Sequence, residues 1–479
     1  AVFIMESAIP KGLRFNSVIS VGNSAQIGIE EVLEYMDETF DPEYSSKVKL
    51  LYIESIDNPD KLLLHASSLV RKGCKIAAIK AGSSKAGSRA ASSHTGAMAS
   101  SDLAVEALFR KAGIVRCYGR EELTTVACVF MCKELKGENI AIITHAGGPA
   151  VMLTDALENG GLTIPKLPDN EAKAQLKAQL FAGSSVENPI DFLATGTEEQ
   201  LSTIIDACEN DFDEIDAMAV IYGSPGLFPV GNVYRLLDRK MKTCKKPIYP
   251  ILPSVINVHE DLEFFISHGN VNFPDEVVLG KALTRVHYTP CPTNEPLELE
   301  GVDVPELRRI IETASNGFQP QDVVRRILKA ASIEMAEEYF AATEAEALDA
   351  ASKLGFPVVM KVVGPLHKTD VGGVSLHIKS NESVSKEYQR LMNIEGAEAV
   401  LVGEMLKGTE LFVGANYEPK FGHIILCGLG GIFVEVLKDV TSGLAPLTQN
   451  EAKSMIRNLK ARKLIKGYRG TPAICERTF

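Results

Sequence analysis

Short apolar runs alternate with amphipathic segments along the first 250 residues, and this alternation limits the fold more than any other feature. Runs rich in Val, Ile and Leu predict buried strands at 17–21, 48–54, 75–80, 139–144, 217–222 and 247–252. Intervening stretches at 29–36, 61–72 and 150–159 have the apolar spacing of helices. Strands that alternate with helices form right-handed βαβ units, so we expect parallel sheets.

The length and the pattern together predict three domains. A chain of 479 residues is too long for a single hydrophobic core. The βα pattern restarts near residue 138, which divides the first part into similar α/β domains at 1–137 and 138–288. A proline-rich linker follows at 289–304. Residues 305–479, with a helix at 344–354 and closely spaced strands at 356–363, 399–405, 410–417 and 422–427, predict an α+β domain with antiparallel pairs.

Composition excludes several classes of protein. A net charge of -12 argues against unspecific binding to nucleic acid or to an anionic membrane surface. No run of about 18 apolar residues is present to span a bilayer. The nine cysteines contain no CxxC pair, which favours reduced thiols, a cytoplasmic location and no zinc site.

A loop at 81–102, made almost wholly of Gly, Ala and Ser, contains one imidazole, that of His94. Ordering such a loop costs backbone entropy, and a neutral imidazole can attack a phosphoryl group. Glu54 ends a predicted strand, at the sheet edge where ligands bind, and could hold one ring nitrogen of His94. The alternatives are a solvent-exposed loop histidine and a solvated strand-end acid.

Two glycine-rich turns between strands and helices are candidate anion sites, because backbone N–H groups at a helix start favour phosphate. They contain Gly22 and Asn23 in the first turn, and Gly147, Gly148 and Pro149 in the second. Each turn alone is weak evidence, since any α/β protein has several. The sequence favours a structural role over a catalytic role for His145, beside the second turn.

In the third domain, Lys361 closes a buried strand and precedes the segment HKTDVGGV, which contains Gly372 and Gly373. An ammonium beside a Gly-Gly turn suits nucleotide phosphates, although the spacing does not fit a Walker A loop. Glu404 could contact adenine or ribose. Glu435 and Asp439 are candidate magnesium ligands, with surface acids on a helix as the equal alternative.

With LLYIES, SSHTGAMA, HAGGPAV, NPID and HKTDVGGV in this order, the chain resembles the NDP-forming acyl-CoA synthetases, with acetate-CoA ligase (ADP-forming) as the closest type. The resemblance implies two flavodoxin-like CoA-ligase domains followed by an ATP-grasp domain. It implies that His94 is phosphorylated, that Glu54 orients it and that the turn at 147–149 begins a helix stabilising the phosphohistidine. Lys361, Gly372 and Gly373 match nucleotide-phosphate contacts, and His367 matches a proposed second phosphohistidine.

The reaction implied by the resemblance interconverts acyl-CoA, phosphate and ADP with carboxylate, CoA and ATP. ATP/ADP, Mg²⁺ and CoA are then expected, with small molecules as partners and a homo-oligomeric assembly. We expect the first domain to be incomplete at its N-terminus and the third at its C-terminus, since the family's CoA-binding domain and part of its metal site have no match here. The alternative is a regulatory or acetyltransferase-associated homologue that binds acyl-CoA or nucleotide without turnover.

Overall fold

A computed structural model describes residues 1–22, 26–84, 86, 101–224, 229–294, 299, 301–364, 372–431, 439–460, 462–465, 467 and 473–474. The chain divides into two compact units, Ala1–Glu295 with Leu411–Phe479, and Pro296–Glu410. This division cuts the predicted ATP-grasp range at residue 410, and the three predicted domain ranges stay a prediction. Among the described residues, no helix combines the length and the apolar character needed to cross a bilayer.

The first part of the larger unit contains a three-stranded parallel sheet, in the order β1-β2-β3. Its elements are α1 (Val2–Ala8), a 3-10 turn (Ile9–Lys11), α2 (Ile29–Glu38), β1 (Val48–Ile53), α3 (Pro59–Arg71), β2 (Lys75–Lys80), α4 (Asp102–Ala112), β3 (Ile114–Cys117) and α5 (Arg120–Met131). The carboxyl ends of β1 and β2 are in register, with Ile53 opposite Lys80. The end of β1 and the start of the His94 loop therefore share one sheet edge.

The predicted strand at 17–21 is wrong. These residues belong to no strand, and Val18 and Ile19 are each about half exposed, at 49% and 51%. A short apolar run becomes a strand only where a neighbouring strand accepts its backbone hydrogen bonds, and β1 pairs only with β2 among the described strands.

A second parallel sheet follows, in the order β5-β4-β6-β7. Its elements are β4 (Ile140–Thr144), α6 (Gly147–Gly160), α7 (Glu171–Gln179), β5 (Ile190–Asp191), α8 (Glu198–Asn210), β6 (Ala217–Ile221), α9 (Gly231–Thr243), β7 (Ile248–Ile251), α10 (His259–Ser267) and α11 (Glu276–Tyr288). Numbered from its first strand, the order is 2-1-3-4, the flavodoxin-like arrangement. Its topological switch point lies between β4 and β6, where such sheets bind ligands.

One hydrophobic cluster joins the two parallel sheets. It contains Ala77 of β2, Ile140 of β4 and Tyr249 of β7, together with residues of α5 and α11. The two sheets therefore share a core within the larger unit. The strands predicted at 48–54, 75–80, 139–144, 217–222 and 247–252 are confirmed within one or two residues.

The smaller unit contains an antiparallel sheet in the order β10-β9-β11-β8. Its elements are α12 (Val304–Thr313), α13 (Gln321–Ala330), β8 (Glu338–Ala341), α14 (Glu344–Leu354), β9 (Val358–Val363), β10 (Val374–Ile378), α15 (Asn381–Met392) and β11 (Ala399–Glu404). Helices α14 and α15 bury alanine, valine and leucine side chains against one face of this sheet. The antiparallel pairing predicted from the sequence is confirmed.

Residues beyond 410 add a second antiparallel sheet, β12-β13-β14, to the larger unit. Its elements are β12 (Leu411–Glu418), β13 (Gly422–Leu429) and β14 (Val440–Leu444), followed by α16 (Gln449–Arg457) and α17 (Arg462–Ile465). Helix α4 packs on this sheet, because buried Arg110 donates to the carbonyl of Ser442 at 3.1 Å and to the Ser454 hydroxyl at 2.8 Å. The helix that follows the His94 loop is thereby fixed.

Candidate phosphotransfer site

Glu54 lies directly after β1, at the carboxyl edge of the first sheet. The backbone N–H of Ala81, the first residue of the predicted loop, donates to the carbonyl of Ile53 at 2.8 Å. The Glu54 carboxylate is half-buried and has no hydrogen-bond or ion-pair partner within the described part of the chain. The structure thus brings Glu54 to the point where the histidine loop leaves the sheet.

The other end of the loop is held by an ion-pair cluster that contains none of the site residues predicted from the sequence. Arg116 of β3 is buried and pairs with Asp102, the first residue of α4, and with Glu106 at 2.8 Å. Lys80, at the end of β2, is also buried, and burial lowers its pKa, an effect that nearby Asp102 opposes. A charged residue inside a short apolar run, as in IVRC, was the available sequence signal.

Four predicted site residues lie outside the described residues: His94, Asn23, His367 and Glu435. The structure therefore tests the surroundings of the histidine loop and not the position of its imidazole. The described residues that flank the loop lie at the carboxyl end of β2 and at the start of α4.

Helix α6 begins at the second glycine-rich turn, as the sequence predicts. Gly147 and Gly148 are exposed, no side chain caps the helix and no acid occupies its first turn. The first N–H groups of a helix have no partner within the helix, and Pro149 contributes none. The start of α6 consequently offers N–H groups to an anion, with the carboxylate of Asp191 beside them.

His145 lies between β4 and α6 and bridges the switch point of the second sheet. The backbone N–H of Gly223, which follows β6, donates to Nε2 of His145 at 2.8 Å. The ring lies 4.7 Å from the ring of Tyr222 and 6.5 Å from that of Phe192, centroid to centroid. Burial lowers the pKa of the imidazole, and the charge of Asp191 acts in the opposite direction.

The NPID segment supports the edge of β4. The amide of Asn188 accepts from the backbone N–H of Ile142 at 2.9 Å and donates to the carbonyls of Ile140 at 2.9 Å and Pro165 at 3.1 Å. It takes the place of a neighbouring strand's peptide group where β5 is too short to pair. Asp191 ends β5 near the start of α6, since a Cβ added to Gly147 would lie 3.8 Å from its Oδ2.

The first glycine-rich turn is different. Gly22 adopts the left-handed backbone conformation, with a φ of +60°, but the next helix, α2, begins only at Ile29. The start of α2 already contains two carboxylates: Glu31 accepts from the backbone N–H of Gly28, and Glu30 from that of Asp57. The start of α2 thus gives no support to an anion site, and the phosphate role of Gly22 stays a prediction.

Lys361 and the second Gly-Gly segment come together in the smaller unit. Val374, directly after Gly373, lies opposite Lys361 in the register of β9 and β10, and the N–H of Val362 donates to the carbonyl of Gly373 at 2.8 Å. Gly372 has a φ of +65°, which favours glycine. The Lys361 ammonium has no partner among the residues described, so it is available to an anionic ligand.

Glu404 is not brought to the same point. It lies opposite Val358, three residue pairs from Lys361 along β9, and its Oε1 accepts from the backbone N–H of Glu337 at 2.9 Å. Because side chains alternate across a sheet, a separation of three positions also puts it on the other face. A role in binding adenine or ribose stays a prediction.

The metal site also stays a prediction. Asp439 is buried, and its Oδ1 accepts from the backbone N–H of Lys460 at 2.9 Å. In the ranges that the structure describes, no three His, Cys, Asp or Glu side chains are grouped to hold a metal ion. The described residues alone do not form a magnesium site.

Two family models match the chain. A succinyl-CoA ligase-like flavodoxin domain matches residues 1–130, and an ATP-grasp domain matches residues 313–478. The fold class expected from the sequence, flavodoxin-like α/β domains followed by an ATP-grasp domain, is confirmed.

Several relatives of established activity are similar along almost the whole chain. The acetate-CoA ligase (ADP-forming) I of Archaeoglobus fulgidus is 33% identical over 485 residues, which cover 98% of this chain and 68% of the relative. The 4-hydroxybutyrate-CoA ligase (ADP-forming) of Nitrosopumilus maritimus is 28% identical, with 98% and 68% covered. This similarity does not favour the alternative of a regulatory homologue.

Among solved structures, the dinucleotide-forming acetyl-coenzyme A synthetase 1 of Ca. Korarchaeum cryptofilum, in complex with phosphate and ADP, matches with a TM-score of 0.53. The two are 23% identical, and the match covers 60% of this chain and 61% of the other, which shows a shared fold. The full-length similarity to the A. fulgidus ligase carries the assignment. The chain belongs to the NDP-forming acyl-CoA synthetases, the acid–thiol ligases that include the ADP-forming acetate-CoA ligases.

Proposed function

We propose that this enzyme passes a phosphoryl group between an acyl group and a nucleotide through His94. In the ATP-forming direction, phosphate attacks the thioester of an acyl-CoA, which releases CoA and leaves an acyl phosphate. The imidazole of His94 then attacks phosphorus and releases the carboxylate. ADP finally takes the phosphoryl group from the phosphohistidine and becomes ATP.

The single observation that carries this proposal is the position of Glu54. It stands at the sheet edge where the histidine loop begins, half-buried and without a partner among the described residues. A carboxylate that accepts a hydrogen bond from one ring nitrogen leaves the other nitrogen unprotonated and nucleophilic. Glu54 is a positioning residue in this account.

The start of α6 and Lys361 supply the electrostatic part of the proposal. Exposed N–H groups of Gly147 and Gly148 stabilise negative oxygens at the acyl end of the reaction, and the Lys361 ammonium stabilises those of the nucleotide. His367 belongs to the proposal as a second phosphoryl acceptor, between His94 and ADP.

Substrates and assembly belong to the same proposal. ADP and phosphate are bound by the K. cryptofilum enzyme, and the curated relatives are ligases of acetate and 4-hydroxybutyrate. We expect a small carboxylate, CoA and ATP/ADP as substrates, with Mg²⁺ accompanying the nucleotide. No step above depends on the metal. Two relatives from Pyrococcus furiosus are named as alpha and beta subunits, which supports an oligomeric enzyme.

The test compares His94→Asn with His259→Asn. His259 is an exposed histidine, with 65% of its side chain accessible, and serves as the matched control. With acetyl-CoA, phosphate and ADP, the wild type and the His259 variant should form ATP, and the His94 variant should lose both ATP synthesis and labelling by γ-labelled ATP. Full activity of His94→Asn would overturn the proposal.

A further inference from the structure

We propose that His145 binds a phosphate oxygen through its Nδ1–H group at the start of α6. This inference rests on the proposed function, because it assigns a further binding residue to the acyl end of the same reaction.

The tautomer of His145 follows from its contact with Gly223. A backbone N–H group can only donate, so the Nε2 atom that accepts it at 2.8 Å has no proton. Burial in turn opposes a second proton on the ring, by lowering the pKa of the imidazole. The single proton of the neutral ring is therefore on Nδ1.

This Nδ1–H group is a donor without an acceptor. Nδ1 of His145 is buried and has no hydrogen-bond partner among the described residues. A buried donor left unpaired is costly, and native proteins rarely retain one without a reason. A bound oxygen atom that arrives with the substrate is such a reason.

The position of the ring identifies the acceptor. Its contact with Gly223 spans the ends of β4 and β6, and thus the switch point of the 2-1-3-4 sheet. Two residues further along the chain, α6 offers the uncapped N–H groups of Gly147 and Gly148. Three neutral donors in one short segment suit a small anion with several oxygens, and inorganic phosphate is the smallest anionic substrate of the proposed reaction.

The neighbours of His145 hold the ring in this orientation. The rings of Tyr222 and Phe192 are both buried, at 6% and 0% exposure, and flank the imidazole. Among the described acids, Asp191 is the one whose charge acts on the imidazole, and its Oδ1 accepts from the backbone N–H of Leu193 at 2.9 Å. Because the neutral ring already has its proton on Nδ1, this donor binds an oxygen atom without proton transfer and keeps its hydrogen.

Two substitutions separate a binding role from a structural role, because they preserve different nitrogens. In His145→Asn, the amide stands at the position of Nδ1 and keeps a donor there, but it loses the acceptor for Gly223. In His145→Gln, the longer side chain reaches the position of Nε2 and keeps that acceptor, but it loses the donor at Nδ1. A purely structural role predicts that Gln is the better replacement, and the binding role predicts Asn.

The readout is the KM for phosphate in ATP synthesis from acetyl-CoA and ADP. A lost hydrogen bond to an anion changes binding by about 10- to 100-fold. We expect a rise of that size in the KM for phosphate of His145→Gln, a much smaller rise in His145→Asn, and an unchanged KM for ADP in both. Equal effects of the two variants, or a larger effect of Asn, would overturn the inference.

Two further measurements keep the test decisive. Labelling by γ-labelled ATP does not use the acyl end, so both variants should still form phosphoenzyme; its absence from the wild type as well would contradict the proposed function instead. If the variants do not fold, the wild type labelled with ¹⁵N-histidine is titrated with inorganic phosphate. A shift of a protonated Nδ1 resonance supports the inference, and nine unchanged histidine spectra contradict it.

Discussion

Replacement of Asn188 by alanine should destabilise the second parallel sheet and weaken the site at its edge. The amide of Asn188 makes three hydrogen bonds, two of them to the backbone of β4 at residues that are 0% exposed. No described strand pairs with β4 at these positions on that side. Alanine therefore leaves the N–H of Ile142 and the carbonyl of Ile140 without partners in the core.

The size of the effect follows from these bonds. Leaving one buried group without a partner costs about 1–3 kcal/mol. The N–H of Ile142 has this full cost and the two carbonyl oxygens cost less, so we expect the free energy of unfolding to fall by about 2–4 kcal/mol. In the larger unit, whose two parallel sheets share a core, this corresponds to a fall of roughly 3–5 °C in unfolding temperature. Asn188→Asp should be no more stable than Asn188→Ala, because its carboxylate keeps the acceptor for Ile142 but faces two carbonyl oxygens.

The assay is thermal unfolding combined with amide hydrogen exchange of a peptide covering 139–145. Asn210→Ala is the matched control, because Asn210 is exposed and its amide makes a single hydrogen bond, to the carbonyl of Asp206 at 2.9 Å. The control should change stability by about 0.5 kcal/mol or less. Unchanged protection of the peptide in Asn188→Ala would refute the assignment of Asn188 as a substitute for a strand.

Three other predictions concern the site directly. Glu54→Gln should slow phosphoenzyme formation about tenfold or more, whereas Glu43→Gln, an exposed control, should not; equal rates would remove Glu54 from the mechanism. Lys361→Met should raise the KM for ADP about tenfold, and the exposed Lys379→Met should leave it unchanged, in a steady-state assay. Burial lowers the pKa of His145, so this residue contributes stability that is complete above its ordinary pKa of 6.5 and is lost as the pH falls below that value. In denaturant unfolding from pH 8 to 5, the free energy of unfolding should therefore fall less steeply with pH in His145→Gln than in the wild type.

Much of the fold could be predicted from the sequence because buried parallel strands have continuous apolar runs. The strands at 48–53 and 140–144 and the helix at 344–354 lie where the pattern put them. The apolar run at 17–21 did not become a strand, since a run of this kind carries no information about a partner. Strands β3 and β5 were not predicted, because one contains a buried arginine and the other has two residues.

The candidate site was predictable as far as it depends on strand ends. Glu54, Gly147 and Lys361 each follow or close an apolar run, and each of these runs forms a strand of a separate sheet. The clamp of Arg116 on Asp102 and the bond from Gly223 to His145 join residues 14 and 78 positions apart. Such contacts depend on the packing of several elements, and no local pattern indicates them.

Transfer through His94 is most directly tested by locating the phosphoryl group on the enzyme and timing its transfer. The enzyme is incubated with γ-labelled ATP, quenched at neutral or alkaline pH, digested and mapped, and a parallel sample is chased with ADP in rapid-mix experiments. We expect acid-labile phosphate on a peptide that contains His94, discharged to ATP at least as fast as the enzyme turns over. Phosphate on another residue alone, or discharge slower than turnover, would contradict it.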